Sequence, residues 1–182
     1  MRSIFSATNQ PLKWAQPSAF RMGYELLSGD EVFATLTFRS SFGTLATGDT
    51  ADGCWTFKRV GFWQTRLTVR PCGDEQDLAV FKNNTWSGGG TLEFPDGRVF
   101  RATTNFWKTR LEFHNTAEEV LAVFHSGGFF HLSADVEIMP AGAHLPELPL
   151  ILCLGLYLII MMQQDSAAGA AVAGAARADP RR

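Results

Sequence analysis

The sequence predicts a mainly β protein, about twelve antiparallel strands closed into a barrel around a C-terminal apolar helix. Three observations predict it. First, segments recur: FWQTRLTV at 62–69 reappears 44 residues later as FWKTRLEF at 106–113, LAVF at 78–81 returns at 121–124, and Gly43-Thr44-Leu45 is echoed by Gly90-Thr91-Leu92. A weaker copy around EVFATLTF makes about three units, each too small to bury its own apolar face. Second, apolar and polar residues alternate along 65–70, 98–103 and 109–114, the period of a half-buried strand. Third, Leu148 to Met162 contains no charged residue, so a helix there is apolar on every side and must be enclosed. At 182 residues, with 46% hydrophobic residues including 15 Phe and 5 Trp, the chain is long enough for one domain with a real core.

In chain order, residues 1–11 read as an N-terminal extension and 12–164 as the barrel. Strands are expected near 12–16, 19–28, 31–39, 43–48, 53–60, 64–70, 77–83, 89–94, 98–103, 109–114, 119–125 and 130–139. Ser28-Gly29-Asp30, Asp52-Gly53, Pro95-Asp96-Gly97 and Gly127-Gly128 separate them at hairpin distances, which favours an antiparallel meander. Three four-stranded units fall below the usual ~4–8 blades of a propeller, so closure into one barrel is expected. The helix is placed near 146–163, with Pro146 and Pro149 in its first turn, where proline is tolerated. Residues 165–182, rich in Ala and Gly, read as a disordered tail.

The apolar run has two possible enclosures. Fifteen residues reach ~22 Å, short of the ~30 Å hydrocarbon core of a bilayer, and no Lys or Arg lies between Arg110 and Arg177 to anchor a span. Twelve strands, by contrast, leave a cavity wider than side chains fill, and a helix ~10 Å across fits it. A plug is the expectation; a membrane anchor over 148–162 is the alternative.

This pattern resembles the tubby-like barrel superfamily, which includes phospholipid scramblases and LURP-one-related proteins. The resemblance spans about 12–164 and rests on the strand count, the GTLEFPDGRVFRATTNFW and GGFFHLSADVEIM stretches, and the terminal LPELPLILCLGLYLIIMM. No acidic calcium-binding segment, cysteine-rich palmitoylation stretch or tubby lipid-pocket motif aligns. It implies a non-enzymatic, membrane-proximal protein, some of whose relatives bind phosphoinositides.

The remaining chemistry is sparse. Cys54, Cys72 and Cys153 show no CxxC spacing, and their odd number suits neither a disulfide framework nor a metal site, so a reducing compartment is expected. The first sixteen residues hold no apolar stretch of ~7–15 residues, so no export signal and a cytoplasmic protein are expected. His125 and His131 flank a turn without a third ligand; no nucleophile elbow occurs, and SGGG at 87–90 lacks the Lys-Ser/Thr of a phosphate loop. No enzyme, metal or cofactor is expected. A net charge of -2 gives no reason to expect nucleic acid. The pairs Phe62-Trp63 and Phe106-Trp107 read as core, since each repeat must bury the same face, with a stacking surface as the alternative.

Charge carries one sharper signal. Lys58, Arg59, Arg66 and Arg70 fall in an acid-free stretch, and so do Arg98, Arg101, Lys108 and Arg110 in the matching repeat. Residues 111–165 hold seven acids and no Lys or Arg. With Leu67, Val69, Leu111 and Phe113 inward, alternation turns Arg66, Arg70 and Arg110 outward. The eight form either a band for anionic lipid headgroups or a set of partners for the acidic C-terminal strands. The functional expectation is a binding or membrane-tethering module, peripheral to an anionic phospholipid surface; the alternative is an integral, scramblase-like protein held by 148–162.

Overall fold

The computed structural model describes the chain except residues 18–21, 41–42, 61–65, 85–88, 128–131 and 178–182, and for 168–177 the backbone alone. After a short 3-10 turn at Ile4–Ser6, the strands are β1 (Leu12–Ala15), β2 (Gly23–Ser28), β3 (Glu31–Phe38), β4 (Ala46–Thr50), β5 (Gly53–Val60) and β6 (Arg66–Pro71). There follow β7 (Ala79–Asn84), β8 (Gly89–Glu93), β9 (Val99–Thr104), β10 (Arg110–His114), β11 (Val120–Gly127), β12 (Ser133–Ile138) and the helix α1 (Leu148–Arg177). Every strand pairs antiparallel with its chain neighbours, and β1 pairs with β12 through Leu12↔Val136 and Trp14↔Ala134, closing the barrel. The expected twelve strands and the closure hold. β4 starts three residues later than the expected 43, and β2 and β12 start at 23 and 133 against the expected 19 and 130, where 19–21 and 130–131 lie outside the described residues.

Alternation explains the core. Phe57, Val69, Phe81, Leu92, Phe100, Phe113, Phe124 and Val136 point inward from successive strands and are buried. Because β12 runs toward the same end as the β2–β3 and β4–β5 turns, α1 enters there, at the base, and runs back to the opposite end, the mouth. Every residue from Leu148 to Met161 is buried, so the apolar run fills the barrel as expected. Two glycines set the fit. A Cβ on Gly48 of β4 would lie 2.8 Å from Cys153 Cβ, and one on Gly155 would lie 2.2 Å from Phe124 Cζ on β11. The helix is thus gripped between opposite walls at points where only a hydrogen leaves room. Past Met162 the backbone continues as helix to Arg177.

The N-terminal residues are more than an extension. Ile4 and Ala7 are buried against the base, and Asp52 in the β4–β5 turn accepts from Ser3 Oγ (2.6 Å) and Ile4 N (2.8 Å).

One expectation is overturned. Cys54 and Cys72 are joined by a disulfide, with Cα atoms 5.4 Å apart, while Cys153 is a free thiol buried in α1. The reason lies in register: β5 and β6 pair as Trp55↔Pro71, which sets the next residues outward, 54 and 72, directly opposite. An odd cysteine count says nothing against one cross-strand pair plus one buried, inert thiol.

Candidate functional site

Folding splits the basic stretches. Each spans a hairpin whose tip lies at the mouth, so residues near the tip gather there and the others are carried to the base. Lys58, Arg59, Arg66, Lys108 and Arg110 lie toward the mouth, together with Arg39 at the end of β3. Arg70, Arg98 and Arg101 lie toward the base, among the carboxylates of its connections: Asp30, Asp52, Asp74, Glu75, Asp77, Asp96, Glu118, Glu119 and Glu147. The molecule is polarised along the barrel axis. The seven acids of 111–165 do not form one face: Glu118, Glu119 and Glu147 are basal, Glu112, Asp135 and Glu137 sit on the wall, and Asp165 is at the mouth.

Pairing separates the eight candidates further. At the base, Arg70 Nε meets Asp77 at 2.6 Å and Arg101 pairs with Glu118. Arg98 pairs with Asp96 at 2.7 Å and with the largely buried Glu147 just before α1, and covers the Phe94 ring at 4.6 Å. Its hydrogen bonds hold the exposed Asp96 carboxyl below the ordinary value. Arg98 is therefore a clamp on the helix entry. At the mouth, Arg110 pairs with Glu112 at 2.7 Å on the outer wall, and Arg59 on the inner side of β5 meets Asp165 of α1 at 2.7 Å. Lys58, Arg66 and Lys108 are exposed and form no ion pair among the described residues. Leu67, Val69, Leu111 and Phe113 are buried, so the outward setting of Arg66 and Arg110 follows the alternation.

Inside the mouth, α1 leaves a cavity of about 210 Å³ on the β7–β10 side. Its walls are apolar (Phe81, Ala102, Leu111, Leu158, Met162), and its rim carries Arg59, Lys108, Asn83, Asn84 and Asp165. Tyr157 ties the helix to the mouth: its hydroxyl donates to Thr44 O at 2.7 Å and its ring stacks on Phe38, with centroids 5.7 Å apart.

The second copy of the aromatic pair is not core. Phe106 and Trp107 occupy the β9–β10 connection at 88% and 78% exposure. The repeat argument fails because the pair sits at the hairpin tip, where alternation no longer applies. Phe62 and Trp63 lie outside the described residues. The β9–β10 tip is locked: Asn105 Oδ1 accepts from Thr109 N (2.9 Å) and Arg110 N (3.1 Å), Lys108 N donates to Asn105 O (3.0 Å), and Lys108 adopts the left-handed conformation at φ 55.

Among the described residues, no three His, Cys, Asp or Glu side chains are grouped to hold a metal ion; His125 faces Glu137 at 3.7 Å, and His131 lies outside those residues. Fold and site together define a class: a closed twelve-stranded antiparallel barrel filled by its own C-terminal helix, basic at the mouth and acidic at the base. No protein-family model, curated protein or solved structure matches the chain.

Proposed function

We propose that this protein is a non-enzymatic binding module that docks mouth-first on anionic phospholipid membrane, a peripheral tether of the tubby-like barrel kind. The observation that carries the reading is the axial charge separation. Lys58, Arg66 and Lys108 stand without ion-pair partners among the described residues at one end, while carboxylates crowd the other. A charged surface attracts one end of such a molecule and repels the other, and each basic residue close to it contributes about 1 kcal/mol. The tubby-like assignment is supported by about three four-stranded repeats and a buried C-terminal helix. Only the mouth-end members of the eight basic residues take part in this proposal; Arg70, Arg98 and Arg101 have carboxylate partners at the base.

The test is co-sedimentation with vesicles containing or lacking phosphatidylserine or phosphoinositide. Binding is expected only to the anionic vesicles and to weaken with salt over the ~8–10 Å screening length of physiological solutions. Lys58→Glu/Arg66→Glu/Lys108→Glu should weaken it by about a hundredfold or more at an unchanged melting temperature. Equal recovery with neutral vesicles, or no effect of the triple reversal, overturns the proposal. The proposed location is cytoplasmic. That location would hold Cys54 and Cys72 as thiols, so their redox state in cells checks the compartment directly.

One observation favours the integral reading. Leu148–Ala167 is 20 residues long at a mean hydropathy of 1.6, enough to span a membrane. Yet 72% of that window is buried inside the barrel, so spanning would empty the core. Extraction by alkaline carbonate distinguishes the two: a peripheral barrel is released, and an anchored one needs detergent.

A further inference from the structure

We infer that the β9–β10 tip is a membrane-inserting wedge, in which Phe106 and Trp107 enter the interfacial layer of an anionic bilayer and fix the barrel end-on. The inference rests on the docking reading of the mouth and adds to it an apolar contact that charge alone does not supply.

Four observations carry it. Phe106 and Trp107 are 88% and 78% exposed, whereas the other exposed large apolar side chains among the described residues, Met1 and Phe5, lie in the N-terminal segment at the base. The two rings support each other edge-to-face, with centroids 5.1 Å apart, so they project as one unit. The turn beneath them is held by the Asn105 side chain and by Lys108 at φ 55, which makes the tip a preformed shape that loses little freedom on insertion. Lys108, which forms no ion pair among the described residues, follows directly and Arg110 stands two residues on, so cations lie just after the rings, as beside an interfacial anchor whose aromatic residues sit at headgroup depth. In a water-facing tip such rings are an exposed apolar liability, and charge complementarity with the basic mouth identifies the occupant as an anionic bilayer surface.

The experiment uses the full chain and vesicles of phosphatidylcholine and phosphatidylserine, some with bromine on the upper part of the acyl chains to quench nearby indoles. The chain has 5 Trp, so the Trp107→Phe variant isolates the signal of one. The wedge predicts quenching in the wild type that Trp107→Phe lacks. It also predicts that Phe106→Ser/Trp107→Ser weakens binding about tenfold or more and removes the part of binding that survives high salt. Wild-type binding with the same quenching in Trp107→Phe overturns the wedge and leaves electrostatic docking in place. No wild-type binding to anionic vesicles overturns docking and the wedge together. If the wild type instead self-associates, with no quenching, and the double Ser variant does not, the rings serve a contact with a second copy of the chain, and the wedge is again overturned. Because both rings lie outside the core, the variants should melt with the wild type, so loss of binding cannot be laid to unfolding.

Discussion

Tyr157 is a polar group inside an apolar helix, and its environment makes a pH prediction. Burial raises its phenol above the ordinary 10.0, against weaker opposing contributions from Arg59 and from the hydrogen bond to Thr44. Burial likewise raises the Cys153 thiol above 9.0. Above those ordinary values the unfolded chain releases protons that the folded chain keeps, so stability present at neutral pH is lost as pH rises. Urea midpoints taken from about pH 8 to about pH 11 should fall, beginning near pH 9–10. Tyr157→Phe should start about 1 kcal/mol less stable, from the lost hydrogen bond, and then decline less steeply. Identical slopes for the two proteins would show that the phenol keeps its ordinary ionisation. At this scale the sequence is hardest to read. Cys54 and Cys72 are legible as a pair only once β5 and β6 are registered about a centre near residue 63, and the same arithmetic about β9 and β10 places Phe106 and Trp107 at a tip. Repetition alone pointed to core because it marks equivalent places in a unit without saying which side of the sheet, or which end, those places occupy.

The helix shows how closely the elements are fitted. Glycine in a helix interior is normally about 1 kcal/mol worse than alanine, so Gly155→Ala should stabilise α1 taken by itself. In the barrel the added methyl would meet the Phe124 ring, its three nearest atoms at 2.2, 2.6 and 2.6 Å. Overpacking of this kind typically costs about 1–3 kcal/mol, so the substitution should lower stability on balance. Chemical denaturation measures the sign, and a stabilised Gly155→Ala would mean that Phe124 swings aside. Strands and helix were legible at this scale because each broadcasts its own period. Alternation marks the inner face of β6 and β10, and the absence of charge across 148–162 marks an element with no solvent side. What escaped was the cut the hairpins make through the basic stretches. Lys58 and Arg70 are neighbours in a charge plot, yet the register sets Lys58 opposite Thr68 and Arg70 opposite Thr56, two positions nearer the base, where Arg70 meets Asp77.

For the whole molecule, shell and filling are one structure. Removing residues 145–182 withdraws ten or more large apolar side chains, each contributing about 1.5–3 kcal/mol when fully buried, against a typical net stability of about 5–15 kcal/mol. That truncation should fail to fold, whereas removal of 166–182 should shift the melting temperature little, since Ser166 and Ala167 are exposed and the Arg59–Asp165 pair is kept. Circular dichroism melts decide it, and a soluble, cooperatively melting 1–144 fragment would mean the strands need no filler.

The seam between β1 and β12 has a temporal consequence. All other strand pairings join consecutive segments, so eleven hairpin contacts can form locally as the chain leaves the ribosome. The seam and the helix cannot. They wait for residues after 132, which are made after all the other strands, and until then β1 and β11 are bare edges on either side of an unfilled apolar face. While strands β2 to β11 are being made the nascent barrel is therefore an open, sticky sheet, and the same α1 that later occupies the barrel is the segment whose arrival ends its exposure.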